Sequence, residues 1–205
     1  MPKIVDHDQR RAALARAVWA VIDQEGIEGA TVRRVAEEAG VSVGGLRHYF
    51  DSQRGLLLFA AREVASAVGA RVTAHLRGDL PGPERARRLL EELLPLDAER
   101  RVEVDVWLAC LMRSRVDPAL AELRRAGWEG ERHVCRLAVA HRRAAAPPSA
   151  IGDELGDPLL ERLAERLHVF IDGLTLQAAA YQERLPPRAV RALLAAELDA
   201  IARQR

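Results

Sequence analysis

Residues 31–50 constrain the fold more than any other part of this chain. They read TVRRVAEEAGVSVGGLRHYF. Thr31 and Ser42 are residue types that cap helix starts, and Gly40 suits a tight turn because glycine adopts a left-handed backbone without strain. The segment therefore predicts short helices over 32–39 and 43–50 in a helix-turn-helix arrangement.

The apolar residues of this segment are spaced so that one face of each short helix packs inward. The residues expected to pack inward are Val35, Ala36, Ala39, Val41, Leu46 and Phe50. The residues expected to face outward are Arg33, Val43, Gly44, Gly45, Arg47, His48 and Tyr49. Glycines in a first helical turn cost roughly 1 kcal/mol each in helix propensity, but they allow close approach to DNA. The bare pattern also fits an ordinary helix pair that binds nothing.

The rest of the chain predicts an all-α protein. Aromatic residues make up only 4% of the sequence, and Ala, Leu and Arg, which favour helices, dominate. Pro83, Pro118 and Pro158 each follow a residue suited to a helix N-terminus, which marks helix starts. Together with the two short helices, the helix start and stop signals predict about nine helices. The other seven are expected over about 8–25, 52–77, 83–95, 98–115, 118–145, 158–184 and 187–204.

Composition and motifs exclude several classes of protein. No uncharged apolar run approaches the about 18 residues of a membrane span, and the first residues do not read as a secretory signal, so we expect a cytoplasmic location without a membrane partner. The two cysteines cannot build a disulfide framework. None of the six histidines lies four residues from another, and nucleotide-binding and nucleophile motifs are absent. We therefore predict no metal site, no cofactor and no catalytic residues.

From Ile27 to Leu58 the sequence resembles the TetR family of transcriptional regulators, and the likeness extends over about residues 8–60. It rests on Thr31 to Ser42, the motif Gly-Gly-Leu-Arg-His-Tyr-Phe, Ser52 and Leu56-Leu57. The form Leu46-Arg-His-Tyr-Phe50, with Asp105-Val-Trp-Leu-Ala-Cys and Ile171-Asp-Gly-Leu-Thr-Leu, is similar to the betaine-regulator branch.

The resemblance implies a DNA-binding domain over 8–60 whose third helix lies in the major groove. The residues it assigns to DNA are Thr31, Arg33, Val43, Gly44, Gly45, Arg47, His48, Tyr49 and Gln53. Arginine pairs two-fold with guanine, which is worth roughly 1–3 kcal/mol against a wrong base. Most relatives have Lys where this chain has Gln53, so a phosphate contact from this position lacks a positive charge. The neighbouring Arg54 is a candidate to supply the missing charge. Basic and acidic residues are equal in number within 1–60, at eight each.

Residues 61–205 are predicted to bind a ligand and to form a dimer. An apolar stripe suits either plain core or the wall of an effector cavity, which the resemblance favours, and comprises Val64, Val68, Trp107, Leu108, Leu111, Met112 and Trp128. The last two helices carry broad apolar faces that suit either an intrachain core or a four-helix dimer seam. The residues assigned to that seam are Leu167, Phe170, Leu174 and Leu194.

The resulting prediction is an effector-responsive transcriptional regulator, expected to repress by binding a pseudo-palindromic operator as a homodimer. The stripe around Trp107 favours a small, mostly apolar or aromatic effector with one or two polar groups. The alternative is a helical ligand-binding or interaction protein with a decayed DNA-binding segment. The departure at Gln53 and the equal numbers of basic and acidic residues within 1–60 are the support for that alternative.

Overall fold

The computed structural model describes the backbone of residues 7–47, 50 and 52–204, with side chains from Arg10 onward. Helices are the only regular structure in these ranges, in agreement with the all-α prediction. They are α1 (His7–Gly29), α2 (Val32–Glu38), α3 (Val43–Arg47), α4 (Gln53–Arg77), α5 (Gly82–Glu91), α6 (Ala98–Ser114), a 3₁₀ turn (Pro118–Leu120), α7 (Ala121–Arg142), α8 (Pro158–Ala180) and α9 (Pro187–Arg203).

The starts of the later helices follow the capping signals in the sequence. The side chain of Asp157 accepts a hydrogen bond from the Leu159 amide at the start of α8, with Pro158 at the first helical position. Asp117 caps the 3₁₀ turn that leads into α7 in the same way. At α5 the expected cap is wrong, because Gly82 is itself helical and Pro81 precedes it without a side-chain cap.

Three of the later helices end earlier than predicted. Helix α5 ends at Glu91, α7 at Arg142 and α8 at Ala180. Just past α7, Ala144 has a φ of 51°, and the C-cap residue of α8, Tyr181, has a φ of −131°. Gly26, expected to end α1, instead kinks it at a φ of 74°, and helical turns continue to Gly29. A single glycine in a left-handed conformation thus redirects the helix without ending it.

The chain divides into two compact units that are not contiguous in sequence. The first comprises Met1–Ser66 and Asp105–Leu123. In its core, the side chains of Val18, Val21, Leu46 and Leu56 are fully buried. Trp19 Nε1 donates to the Ala60 carbonyl oxygen at 3.2 Å, which fixes α1 against α4. The division of function at residue 60 stays a prediction.

The second unit comprises Ala67–Val104 and Arg124–Arg205, and its apolar core draws on α4, α5, α7, α8 and α9. Beside that core lies a buried ion-pair network. Arg71 binds Glu103 with two nitrogens at 3.0 and 2.5 Å and Glu92 with a third at 2.7 Å. Glu92 also accepts from Arg100 at 2.8 Å and contacts His75 at the same distance. In the described part of the chain, no helix is long and apolar enough to cross a bilayer.

Candidate nucleic-acid interface and ligand-binding region

Helix α2 carries the first predicted DNA contacts on its exposed side. Thr31 caps the helix, because its Oγ1 accepts from the Arg34 amide at 3.2 Å. The Arg33 side chain is 84% exposed, with Nε 3.2 Å from Glu37 Oε1. Arg34 instead holds the local fold, since it binds Glu25 at 2.6 Å and Glu38 at 3.0 Å. The outward placement predicted for Arg33 is therefore observed.

The turn and α3 have the geometry that the glycines and Ser42 predict. Gly40 has a φ of 64°, and Ser42 Oγ accepts from the Gly45 amide at 3.0 Å. Leu46 is fully buried, which leaves Gly44 and Arg47 exposed on the outer side. A Cβ at Gly44 would meet no other atom within 4 Å, so this side of α3 offers open space to a partner.

The other predicted contacts of this segment differ in placement. Val43 is half-buried, and a Cβ at Gly45 would lie 3.1 Å from Ser42 Oγ. His48 and Tyr49 fall outside the described residues. Phe50, predicted as the last residue of the third helix, is buried and is not helical.

At the start of α4, the residues expected near phosphate are engaged within the chain. Gln53 Nε2 donates to the Ile27 carbonyl oxygen at 3.4 Å, which ties α4 to the end of α1. Arg54 Nε donates to Asp117 Oδ2 at 2.9 Å. Ser52 Oγ accepts from the Gly55 amide at 3.1 Å and so caps the helix. Gln53 and Arg54 thus each have a partner within the chain, although the Arg54 side chain is still 56% exposed.

A cleft of about 340 Å³ opens beside these two side chains. Arg113 Nη1 lies 3.3 Å from Glu28 Oε1 in its wall, and the Arg54–Asp117 pair lies in the same wall. Sequence reasoning missed this cleft, because its ion pairs join residues 63 and 85 positions apart.

The predicted effector stripe is divided between the two units. Val64 in the first unit is buried, and Trp107, Leu108 and Leu111 on α6 are half-buried, while Met112 is 54% exposed. In the second unit, Val68 packs against the apolar core, and Trp128 is 52% exposed. The Trp128 ring lies 5.6 Å from the His168 ring, with the Arg132 guanidinium 5.0 Å from its centre. The assignment of these residues to a ligand stays a prediction.

The predicted dimer residues require correction. Leu167, Leu174 and Leu194 are buried inside the second unit's own core, and Phe170 packs against that core. Their side chains thus fill an intrachain core, which is the alternative that the same apolar faces allow. The apolar residues that α8 exposes are Val169, 72% exposed, and Leu176, 54% exposed; α9 exposes Leu193. The sequence signal for this exposed face was a second apolar stripe at positions 169, 173, 176 and 180. The residues of this stripe are smaller than those of the stripe that was assigned to the dimer.

Comparisons with known proteins agree with this architecture. Residues 14–60 match the family described as bacterial regulatory proteins, tetR family, and residues 82–203 match BetI-type transcriptional repressor, C-terminal. The chain is 33% identical to the HTH-type transcriptional regulator PksA of Bacillus subtilis, over 98% of this chain and 94% of PksA.

Two solved structures share the fold. A transcriptional regulator from Rhodococcus superposes with a TM-score of 0.76 at 30% identity, covering 93% of this chain and 95% of that one. A transcriptional regulator from Saccharomonospora viridis in complex with choline gives 0.77 at 22% identity, covering 94% and 96%. From the two matching segments and the full-length relative we conclude that the chain belongs to the TetR family of bacterial transcriptional regulators, with a BetI-type C-terminal region.

Proposed function

We propose that this regulator represses transcription in the cytoplasm by binding a pseudo-palindromic operator as a homodimer. The observation that carries the proposal is the exposed side of α2 and α3, where Arg33 and Arg47 face solvent beside the open position at Gly44. A two-fold dimer requires two matching half-sites, one for each copy of α3. Thr31 supplies a helix N-terminus to phosphate, as the family resemblance implies.

The dimer seam is proposed on the outer faces of α8 and α9. Val169 and Leu176 lie seven residues apart on α8, with Gly173 and Ala180 on the same side. On α9, Leu193 lies between Ala189 and Ala196 at matching spacing. Exposed apolar stripes with small residues allow helices of two copies to approach closely and to form a four-helix seam. This seam replaces the one first assigned to Leu167, Phe170, Leu174 and Leu194.

We propose that a small molecule controls DNA binding. The half-buried side chains of Trp107, Leu108 and Leu111 form an apolar surface on α6, consistent with a mostly apolar or aromatic effector. An effector that prefers a conformation with wrongly spaced recognition helices lowers operator affinity by its differential affinity for the two conformations. Choline, bound by the Saccharomonospora relative, is the polar comparison compound.

The test of operator binding uses the full-length chain and duplex DNA selected from a random library. We expect the selected sequences to contain inverted half-sites. The Arg33→Ala/Arg47→Ala double variant should bind the selected duplex at least about tenfold more weakly, since each lost base contact costs roughly 1–3 kcal/mol. The matched control is Arg184→Ala/Arg188→Ala, which removes the same charge from exposed residues of the second unit.

Binding that is unchanged in the Arg33/Arg47 variant, or reduced equally in the control, contradicts the proposed DNA face. Selection without any enriched sequence favours the alternative of a decayed DNA-binding segment. The effector arm titrates apolar aromatic compounds and choline into the protein–DNA complex. If a compound releases DNA from the native protein and from the Trp107→Ala variant equally well, the effector binds somewhere other than at Trp107.

A further inference from the structure

Two helices of the second unit bring three metal-ligating side chains together. Glu131 lies on α7, and His168 and Asp172 lie one turn apart on α8, where a spacing of four residues places them on one face. His168 Nε2 is 3.4 Å from Glu131 Oε2 and 3.7 Å from Asp172 Oδ1. One ligating atom from each residue lies within 4.8 Å of the others. The cluster takes no part in the proposed DNA face.

The distances within this cluster suit a shared cation better than direct hydrogen bonds. A charge-assisted hydrogen bond between an imidazole and a carboxylate measures about 2.8 Å, which is well below both separations. Zinc binds nitrogen and oxygen ligands at about 2.0–2.1 Å, so adjacent ligand atoms of a tetrahedral site are about 3.4 Å apart. The two separations from His168 are close to this value.

Burial and charge also favour a cation at this position. The side chain of His168 is 2% exposed, whereas those of Glu131 and Asp172 are 25% and 55% exposed. Arg132 makes its ion pairs elsewhere, at 3.8 Å from Glu165 and 4.0 Å from Glu161. Two adjacent carboxylates beside a buried imidazole are therefore incompletely neutralised.

We propose that Glu131, His168 and Asp172 bind one divalent transition-metal ion, with Zn²⁺ as the best match. One imidazole and two carboxylates form a donor set that zinc accepts, and zinc stands above manganese in general affinity. The exposed position of Asp172 leaves room for water as a fourth ligand. The ion joins α7 to α8. The sequence did not predict this metal site, because the donors of the site are on two different helices and no two histidines of the chain are paired by spacing.

The test measures binding of Zn²⁺ alone to the full-length protein after removal of metal with a chelator. Calorimetry should give one ion per chain, and the ion should raise the melting temperature because it binds only the folded state. Asp172→Asn and Glu131→Gln should each weaken binding at least about tenfold and abolish the rise in melting temperature. The matched control is Glu165→Gln, which removes an exposed carboxylate from the same helix and should bind as the native chain does.

Circular dichroism establishes that each variant is folded. The test relies on Asp172→Asn rather than on a change at His168, because His168 is buried and its substitution could unfold the chain. Absence of saturable binding below about 100 µM, or native affinity in both Asp172→Asn and Glu131→Gln, overturns the proposal. Choline is titrated in parallel. If choline binds, loses affinity in Asp172→Asn and is not displaced by Zn²⁺, the cluster serves an organic cation beside Trp128 and the metal assignment is wrong.

Discussion

Arg54 Nε, in the first turn of α4, donates a hydrogen bond to Oδ2 of Asp117 at 2.9 Å, across 63 residues of sequence. Burial of Asp117 opposes its ionisation, but hydrogen bonds from Arg54 and the Ala119 amide outweigh it and lower the pKa of Asp117. The carboxylate is therefore charged at neutral pH, and it partly neutralises the arginine that was expected to compensate for the uncharged Gln53.

Asp117→Asn should strengthen DNA binding, because asparagine keeps the cap on the 3₁₀ turn while Arg54 loses its ionic partner. Affinity measured against salt concentration should show a steeper slope, by about 0.9 for each additional phosphate that the protein neutralises. Asp199→Asn is the control, since it removes a similar ion pair with Arg142 in the other unit. An unchanged slope in Asp117→Asn means that Arg54 does not reach phosphate.

Substitutions on two sides of α8 should separate the dimer seam from the core. Val169→Asp places a charge on an exposed position, so the single chain should keep its fold. In the dimer, the seam would bury one such charge from each copy, so the dimer should dissociate. Leu174→Asp, at a position only 5% exposed, should unfold the second unit. Light scattering and thermal unfolding distinguish the outcomes. A Val169→Asp dimer with native melting behaviour places the seam on another face.

The Glu92 network should contribute a measurable dependence of stability on pH. Burial raises the pKa of Glu92, but hydrogen bonds from Arg100, His75 and Arg71 outweigh it and lower the pKa to about 2. Because the folded-state pKa is below the unfolded value, the contribution is complete above about pH 4.5 and is lost as the pH falls towards 2. The shift corresponds to about 3 kcal/mol.

Glu92→Gln should accordingly lower the free energy of unfolding by about 3–5 kcal/mol at neutral pH. Urea unfolding between pH 7 and acid conditions should show the difference from the native chain shrinking as the pH falls. Glu99→Gln, an exposed change in the first turn of α6, should stay within about 0.5 kcal/mol of the native chain. A difference that is independent of pH would show that Glu92 is not held ionised by this network.

Two glycine-to-alanine changes should have opposite effects on stability. A Cβ at Gly82 would lie 2.5 Å from the His141 carbonyl oxygen, so Gly82→Ala should cost about 1–3 kcal/mol. Gly130 lies inside α7 with no atom within 4 Å of the added carbon, so Gly130→Ala should gain up to about 1 kcal/mol. Thermal melts of the two variants check the signs. An unchanged or raised melting temperature in Gly82→Ala contradicts the steric conflict at Gly82.

The parts of the fold that depend on local chemistry could be predicted from the sequence. Asp157 before Pro158 predicts the start of α8, because both the cap and the proline act within one turn. The predicted end of α8 was wrong, because the sequence after Ala180 lacks a glycine in the left-handed conformation that terminates many helices. Glycine at position 40 fixed the turn before α3 for the same local reason.

The parts of the site that depend on tertiary packing could not be predicted. Helix α8 has two apolar faces, and the larger side chains, including Leu167 and Leu174, fill the core, while Val169 and Leu176 remain outside. Periodicity alone does not say which face turns inward. Glu131 and His168 come together only because α7 and α8 pack side by side, and no spacing along the sequence records that proximity.

Several arginines of the first unit face carboxylates of their own chain: Arg33 faces Glu37, Arg34 faces Glu25 and Arg54 faces Asp117. A random DNA duplex must displace these carboxylates rather than mobile counterions, so it gains little from phosphate contacts alone. An operator adds base contacts and gains more. We therefore expect bulk chromosomal DNA to sequester few copies of the protein, so that promoter occupancy follows small changes in its cellular abundance.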